Sequence, residues 1–300
     1  MKKFLYRLFF FCLLQVSLLL VIDYGYSEIM MRSNSRPIES WFDLMHGNID
    51  ANVIIMGSSR AWVHYNPRIL DSVLCINSYN LGINGSQMNR QIQKYDLYQK
   101  YNRKPFLIIQ NIDLWSLNYT IGYEREQFFP YFWNRHIRSG IMKTEPFSLL
   151  EKYMPLYRYD LLTIPHFSPK SLEKGYHGMD LPWNGKAYMD QDSIAFEPND
   201  TTVKMFDEYL FRTKKQGIKV LFVYTPLFKG AINKIKNLGE MYSFYQKYAD
   251  KYDIQILDFL NMDICKDTAF FYNAMHLNSK GSDIFTDSLA NSIKRLGILK

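Results

Sequence analysis

Five apolar segments separated by stretches of helical period constrain this sequence most strongly. Four are strongly apolar and one is weaker, and they span residues 52–56, 75–81 (the weaker one), 106–109, 219–224 and 254–259. Short continuous apolar runs are typical of strands buried on both faces of a parallel sheet. Helical patterns alternate with them at 86–101, 200–216, 232–252 and 279–296. The alternation predicts a doubly wound α/β sheet whose ligand site lies beyond the carboxyl ends of its strands.

The N-terminus predicts a membrane segment. Residues 8–22 are uncharged and almost entirely apolar, and they follow the basic residues Lys2, Lys3 and Arg7. With aromatic residues at both ends, this run approaches the roughly 20 residues that span a bilayer. A cleaved signal peptide and a buried helix are the alternatives, but no clear cleavage site follows, which favours an uncleaved anchor. Basic residues on the inner side place the rest of the chain outside the cytoplasm.

These patterns predict three regions. Residues 1–26 form the anchor, residues 27–50 a polar stalk, and residues 51–297 the α/β domain. An insertion at about 115–198 interrupts the alternation and is rich in Tyr, Phe, Trp and Pro. So many aromatic residues predict an ordered insertion that is partly helical at 147–162. Packing over the sheet, stacking on sugar rings and contact with lipid are all compatible with it.

Charge and motif content exclude several function classes. The 300 residues are 47% hydrophobic and 22% charged, and the formal net charge of +7 is dispersed among acidic residues. This distribution gives no nucleic-acid footprint. The sequence has neither the GxGxxG of a dinucleotide fold nor a Walker lysine, and its histidines lack metal-ligand spacing. We therefore expect no cofactor and no metal.

A serine and a distant histidine are the candidate catalytic pair. Ser59 directly follows the first predicted strand and begins a predicted helix at 60–70, while His276 lies in a polar loop before the last helix. Parallel strands deliver both loops to one edge of the sheet, where the histidine could act as general base for the serine. As isolated residues, they could equally be a helix cap and a packed side chain. His64 is expected to face solvent or to pack on the insertion.

Three motifs together resemble the SGNH (GDSL-type) hydrolase superfamily. They are Gly57-Ser58-Ser59, Asn80-Leu81-Gly82-Ile83-Asn84-Gly85, and Asn273-x-x-His276. The resemblance covers most of residues 51–297 outside the insertion and implies a flavodoxin-like five-stranded parallel sheet. It implies Ser59 as nucleophile, His276 as base, and the backbone N–H groups of Ser59 and Gly85 as oxyanion-hole donors.

Two positions depart from the family pattern. Where the family has a glycine and an asparagine after the middle strand, this chain reads Gln110-Asn111-Ile112-Asp113, so Asn111 is the candidate third oxyanion donor and Asp113 a rival occupant. Asn273 stands where the family usually has aspartate. Its side-chain oxygen could still orient His276, but it lacks the charge that stabilises an imidazolium.

Two functional hypotheses follow. The first is a membrane-anchored extracytoplasmic esterase or O-acyltransferase, with Ser59, His276 and Asn273 as the catalytic residues. Resemblance to the superfamily's envelope branch implies acyl, most simply acetyl, esters of a cell-surface polysaccharide, with a membrane acyl-donor protein as a partner. The second hypothesis is a catalytically silent domain that binds glycan or an envelope-assembly partner.

Overall fold

The computed structural model describes residues 1–33, 36–118, 125–135, 137–138, 147–159, 173–185 and 194–299. The chain forms two compact units, each from two separate segments. The N-terminal unit comprises Met1–Phe42 and Ile121–Ser171, and the sheet unit comprises Asp43–Thr120 and Leu172–Lys300. This division differs from the predicted regions, because residues 27–42 and much of the 115–198 insertion group with the predicted anchor.

The sheet unit contains the predicted five-stranded parallel sheet. Its strands are β1 (Val53–Met56), β2 (Ser78–Asn80), β3 (Leu107–Asn111), β4 (Lys219–Tyr224) and β5 (Gln255–Asp258). They pair in the order β2-β1-β3-β4-β5, which is the flavodoxin-like order. From β1 the chain adds β2 on one side of the sheet and then β3 to β5 on the other, so the strand order reverses between β1 and β3. A ligand crevice is expected at the carboxyl ends of these two strands. The predicted α/β fold class is confirmed.

The sheet is buried where the sequence is most apolar. Every residue of β1 and β3 is buried, and so are the last four residues of β4. The core on one face joins these strands to the C-terminal helix, through side chains that include Val53, Ile55, Ile109, Phe285 and Leu289. Burial on both faces explains why these strands have continuous rather than alternating apolar residues.

The described helices are α1 (Lys2–Met31), α2 (Arg36–Met45), α3 (Ser59–His64), α4 (Pro67–Leu74), α5 (Met88–Tyr101), α6 (Leu149–Tyr153), α7 (Asp200–Lys215), α8 (Lys229–Ile232), α9 (Leu238–Tyr252) and α10 (Ser279–Leu296). Helices α5, α7 and α10 lie where the periodicity predicts them. A small antiparallel pair, β6 (Phe271–Asn273) and β7 (His276–Leu277), precedes α10.

The single helix predicted at 60–70 is wrong, because α3 and α4 are separate. Pro67 occupies the first turn of α4, where its missing N–H is not needed, and it disfavours helical geometry in the residue before it. The side chain of Asn66 caps α4 by accepting a hydrogen bond from the Arg68 N–H at 3.1 Å. The helix predicted at 232–252 begins later than expected, because α8 ends at Ile232 and α9 starts at Leu238. Just before α9, the Asn237 side chain forms two hydrogen bonds with the backbone of Phe196.

The N-terminal unit is helical where the sequence predicts an anchor and a polar stalk. Within the described part of the chain, one helix, α1, is both long enough and apolar enough to cross a membrane. The predicted stalk at 27–50 contains the end of α1 and all of α2 instead. Trp41 in α2 is buried, its indole N–H donates to Gln127 at 2.8 Å, and its ring meets Phe128 edge-on at 5.2 Å.

The aromatic residues described in the insertion mostly form a core within the N-terminal unit. The buried ones are Phe128, Phe129, Tyr131, Phe132, Phe147 and Tyr159. The sequence leaves open packing over the sheet, stacking on sugar rings and contact with lipid, whereas this set packs within its own unit. The remainder of the predicted helical part, residues 160–162, lies outside the described residues, as does most of the insertion between them.

Candidate active site

A tight connection after β1 presents Ser59. Gly57 ends the strand, and a side chain at this position would place its Cβ 2.6 Å from the Cβ of Ala61 and 2.7 Å from that of Asn111. Such contacts are too close for any residue but glycine. The chain therefore turns directly from β1 into α3, and Ser59 becomes the first residue of that helix, partly exposed beyond the carboxyl end of the sheet.

The histidine predicted as base lies against this serine. His276 begins β7, and its Nε2 is 2.7 Å from the Ser59 Oγ. The two residues are 217 positions apart in sequence. The structure thus brings the predicted nucleophile and base within the roughly 2.6–3.2 Å between heavy atoms that direct proton transfer requires.

Asn273 fixes the tautomer of this histidine. Its Oδ1 lies 2.9 Å from the Met275 backbone nitrogen, which can only donate, so this atom is the acceptor. The same Oδ1 is 2.9 Å from the His276 Nδ1, which must therefore carry a proton. With its proton on Nδ1, the neutral imidazole turns the lone pair of Nε2 towards Ser59. The amide therefore orients the base as an aspartate would, but without a negative charge.

The surroundings keep His276 neutral. Burial, together with the nearby Arg60 cation, lowers its pKa to about 3. The ring also stacks on Tyr272, with centroids 5.3 Å apart and an angle of 11° between the planes. At neutral pH His276 is therefore unprotonated and could accept a proton, but its imidazolium form is strongly disfavoured.

A buried carboxylate holds both neighbours of Ser59. The Asp113 Oδ2 accepts a hydrogen bond from the Ser58 Oγ at 3.1 Å and pairs with the Arg60 Nη2 at 2.8 Å. Both side chains of this ion pair are almost fully buried. The sequence indicated Asp113 only as a rival to Asn111. Its observed contacts make it a positioning residue for the nucleophile.

Of the two residues predicted as further oxyanion donors, Asn111 bonds to Asp113, whereas Gly85 lies in a turn. The fully buried Asn111 donates its amide to Asp113 at 3.1 Å and accepts from the Tyr65 hydroxyl at 3.1 Å. Gly85 lies in the turn before α5 with a φ of +61°, a left-handed value that glycine tolerates. Their roles in an oxyanion hole stay predictions.

Gly82 and Asn80 in the second motif have structural roles that the sequence did not assign to them. A Cβ on Gly82 would lie 2.4 Å from the Trp62 backbone nitrogen in α3, so glycine is needed for this close approach. Asn80 donates to the backbone oxygens of Ala61 and Tyr65 at 2.7 and 3.0 Å. The end of β2 therefore holds the helix that begins with the nucleophile.

The expectation for His64 is wrong. Instead of facing solvent or the insertion, it is fully buried, and its Nε2 accepts a hydrogen bond from the Leu277 N–H at 3.0 Å. Its ring meets that of His276 edge-on, with centroids 6.1 Å apart. His64 therefore supports the loop that carries the base. Spacing along α3 gave no sign of this role, because its partner lies 213 residues away.

His64 should make the stability of the protein fall in mild acid. Burial first, and then the charges of His276 and Arg60, lower its pKa well below 6.5. As the pH falls below 6.5, the unfolded chain binds a proton here that the folded chain refuses. Its folding free energy should weaken by up to about 1.4 kcal/mol per pH unit from this group alone.

The His64→Gln variant tests this effect, since a glutamine oxygen can still accept from Leu277 without binding a proton. We expect the melting temperature of the variant to drop less than that of the wild type between pH 7 and pH 5. An identical drop in both proteins would mean that His64 is not held neutral in the folded state.

No metal centre is suggested by the described residues, in which no three His, Cys, Asp or Glu side chains are grouped closely enough to hold an ion. Of the three histidines in the insertion, His177 packs on the Trp62 ring with centroids 4.5 Å apart, whereas His136 and His166 lie outside the described residues. The absence of a cofactor stays a prediction.

No family model matches the sequence, and no curated protein matches it. Several solved structures are similar to it. A protein described as lipolytic and of the G-D-S-L family, from Desulfitobacterium hafniense, aligns over 81% of this chain and 99% of its own, with 11% identity and a TM-score of 0.45. A Bacteroides fragilis protein described as an acylhydrolase covers 81% of this chain and 86% of its own, with 14% identity and a TM-score of 0.40.

An acetyl xylan esterase is also similar, over 80% of this chain and 98% of its own, at 12% identity and a TM-score of 0.42. The TM-scores of these three structures lie below 0.5, so the chemistry of this chain has to be inferred from its own residues. Those residues are Ser59, which follows the tight turn at Gly57, the neutral His276, whose Nε2 is 2.7 Å from the Ser59 Oγ, and Asn273, which orients the histidine.

Proposed function

We propose that this protein is a serine ester hydrolase or O-acyltransferase that acts through an acyl-enzyme on Ser59. The observation that supports it most strongly is the 2.7 Å contact between the Ser59 Oγ and the His276 Nε2. A hydroxyl bonded to an unprotonated imidazole nitrogen, with the ring oriented by a third residue, is the arrangement of an activated nucleophile. Asn273 is that third residue.

The reaction would proceed in two steps. Ser59 attacks the ester carbonyl while His276 takes the hydroxyl proton at Nε2; the ester C–O bond then breaks, and His276 returns the proton to the departing alcohol. Water or a sugar hydroxyl next attacks the carbonyl of the acyl-Ser59 and loses its proton to His276. The bond from this carbonyl to the Ser59 Oγ then breaks, and His276 returns the proton to Ser59. The backbone N–H groups of Ser59 and Gly85 are the proposed oxyanion donors. The Asn111 amide bonds Asp113 with one hydrogen and would contribute its second.

The proposed substrates are acyl esters, most simply acetyl esters, of a cell-envelope polysaccharide. Two features support this class: the resemblance of the motifs to the envelope branch of the SGNH superfamily, and the apolar helix α1 with Lys2, Lys3 and Arg7 at its start. Basic residues on the cytoplasmic side would place the sheet unit outside the cytoplasm. A membrane acyl-donor protein would be the partner if the reaction is a transfer.

A fluorophosphonate probe tests the nucleophile without knowledge of the substrate. We expect the full-length protein in detergent to gain one probe mass on the peptide that contains Ser59. Ser59→Ala should remain unlabelled and should lose the hydrolysis of p-nitrophenyl acetate, whereas Ser288→Ala in α10 should behave as wild type. Equal labelling and equal hydrolysis in wild type and Ser59→Ala would exclude the enzyme.

The second candidate function is a silent domain that binds glycan or an envelope-assembly partner. Asn273 favours it, because no carboxylate stabilises a protonated His276 whose pKa is already lowered to about 3. The same labelling experiment distinguishes the two functions. A folded protein that neither reacts with the probe nor turns over p-nitrophenyl acetate would support the silent domain.

A further inference from the structure

The last turns of α1 belong to the folded core of the N-terminal unit. Asp23 is fully buried, and its carboxylate accepts hydrogen bonds from the Leu156 N–H at 2.8 Å, the Trp133 indole at 2.8 Å and the Arg158 guanidinium at 2.7 Å. One turn later, Ser27 is also fully buried and bonds the Tyr159 hydroxyl at 2.8 Å. Helix α1 is therefore fixed to the residues that follow α6.

The position of Asp23 along α1 sets the level of these contacts relative to a bilayer. Residues 4–22 of α1 are exposed throughout, and apart from Arg7, whose long side chain can reach the headgroups, they carry no charge. At about 1.5 Å per residue, this part is about 28 Å long, close to the roughly 30 Å of a hydrocarbon core. If α1 spans the membrane, Asp23 and the residues bonded to it lie where hydrocarbon gives way to headgroups.

An exposed apolar surface lies next to this boundary. It consists of α6 and the turn after it, and we call it the α6 surface; its members are Leu149, Leu150, Tyr153, Met154 and Tyr157, each at least 50% exposed. Met154 and Tyr157 are within two residues of Leu156, so chain geometry keeps their Cα atoms within about 8 Å of its own. The α6 surface therefore begins at the same depth relative to the bilayer as Asp23.

The composition of the α6 surface matches the membrane interface. Tyr and Trp concentrate there because their rings combine an apolar body with a polar edge. Beside the two tyrosines of the surface, the half-exposed Trp133 packs edge-on against Tyr24 at 6.2 Å. Arg138 lies over the Tyr153 ring at 5.7 Å, where its charge can meet a lipid phosphate. Contiguous exposed apolar groups of this kind mark interaction sites.

We propose that the α6 surface rests in the lipid headgroup region, as a second membrane contact beside α1. The occupant is lipid because the surface is continuous with an apolar helix, through Asp23, Trp133 and Leu156. Lipid contact by the insertion, one of the roles that the sequence left open, is thereby assigned to this surface. The proposal goes beyond the esterase function and does not depend on it.

Spin-label accessibility in proteoliposomes tests the proposal on the full-length chain. Cys12, Cys75 and Cys265 are first replaced by alanine, and single labels are placed through Met154→Cys, Tyr157→Cys, Leu14→Cys in α1 and Phe211→Cys on the exposed side of α7. The vesicles contain phosphatidylcholine and phosphatidylglycerol. Collision rates with oxygen, which concentrates in lipid, are compared with those of a water-soluble nickel chelate.

We expect the ratio of oxygen to nickel collisions at positions 154 and 157 to exceed that at 211 severalfold and to approach that at 14. Ratios at 154 and 157 equal to that at 211 would overturn the proposal. So would protection from both reagents, which would indicate a protein partner on the α6 surface, and so would a water-like label at 14. Fluorophosphonate labelling of Ser59 in the same samples reports separately on the active site.

Discussion

Replacing Asn273 with aspartate is expected to raise the kcat/KM for ester hydrolysis by about 10²-fold. This is less than the roughly 10⁴-fold lost when a triad aspartate becomes asparagine, because that loss comes from a wrong histidine tautomer, which is already correct here. Asn273 already accepts the Nδ1–H of His276 at 2.9 Å and holds the productive tautomer. An aspartate would keep this geometry and add the charge that stabilises the imidazolium. The chemical step then no longer works against a histidine whose pKa is lowered to about 3.

The pH profile identifies the cause of such a gain. In the wild type, His276 should remain a base down to acid pH, so the activity of the folded protein should not fall through pH 6.5. In Asn273→Asp the pKa of His276 should rise, and an acid limb should appear at higher pH. Asn199→Asp, the same substitution at the exposed N-cap of α7, is the matched control. A gain that also occurs in the control, or no gain at all, would contradict the proposed site.

Replacing Asp23 with alanine is expected to destabilise the N-terminal unit by about 3–5 kcal/mol, because it leaves the Arg158 guanidinium buried without its counter-charge. The two side chains are only 1% and 4% exposed. The Arg158 guanidinium also lies over the Phe132 and Tyr159 rings at 5.2 and 4.8 Å, so the unpaired charge would sit in the aromatic core. Hydrogen exchange of residues 147–159 in detergent measures the effect.

Two further variants separate the charge from the packing. Glu28→Ala removes a partly exposed carboxylate from the same helix, and its exchange should remain that of wild type. The double variant Asp23→Leu, Arg158→Met removes both charges and should recover much of the lost protection. If Asp23→Ala exchanges no faster than Glu28→Ala, the buried pair does not hold α1 to this unit.

The sheet could be predicted from the sequence because its strands are buried on both faces. Burial leaves a local signal, a continuous apolar run such as 53–56 or 107–109, and each strand is read without knowledge of its partners. The Ser59 and His276 pairing followed, since parallel strands end at one edge. The break at Asn66-Pro67 also has a local signal, an N-cap residue before a proline at the first helical position.

The remaining features depend on contacts that leave no local pattern. Asp23 and Arg158 are 135 residues apart, so the polar residues after the apolar run were interpreted as the end of an anchor. Asn111 ends β3 and Asp113 follows it two residues later, where a shift of one residue changes which side chain faces the start of α3. His64 bonds the backbone of Leu277, and a backbone acceptor or donor is invisible in a residue pattern.

The buried Asp23 also has a mechanical consequence. A transmembrane helix followed by a polar linker is a flexible tether, and the domain beyond it can turn freely. Here α1, the proposed membrane helix, continues into the folded core of the N-terminal unit, where the buried ion pair of Asp23 and Arg158 holds it. If α1 spans the membrane, the unit should therefore change its tilt relative to the bilayer only when α1 does. The tilt of α1 then sets the orientation of the unit on the membrane surface.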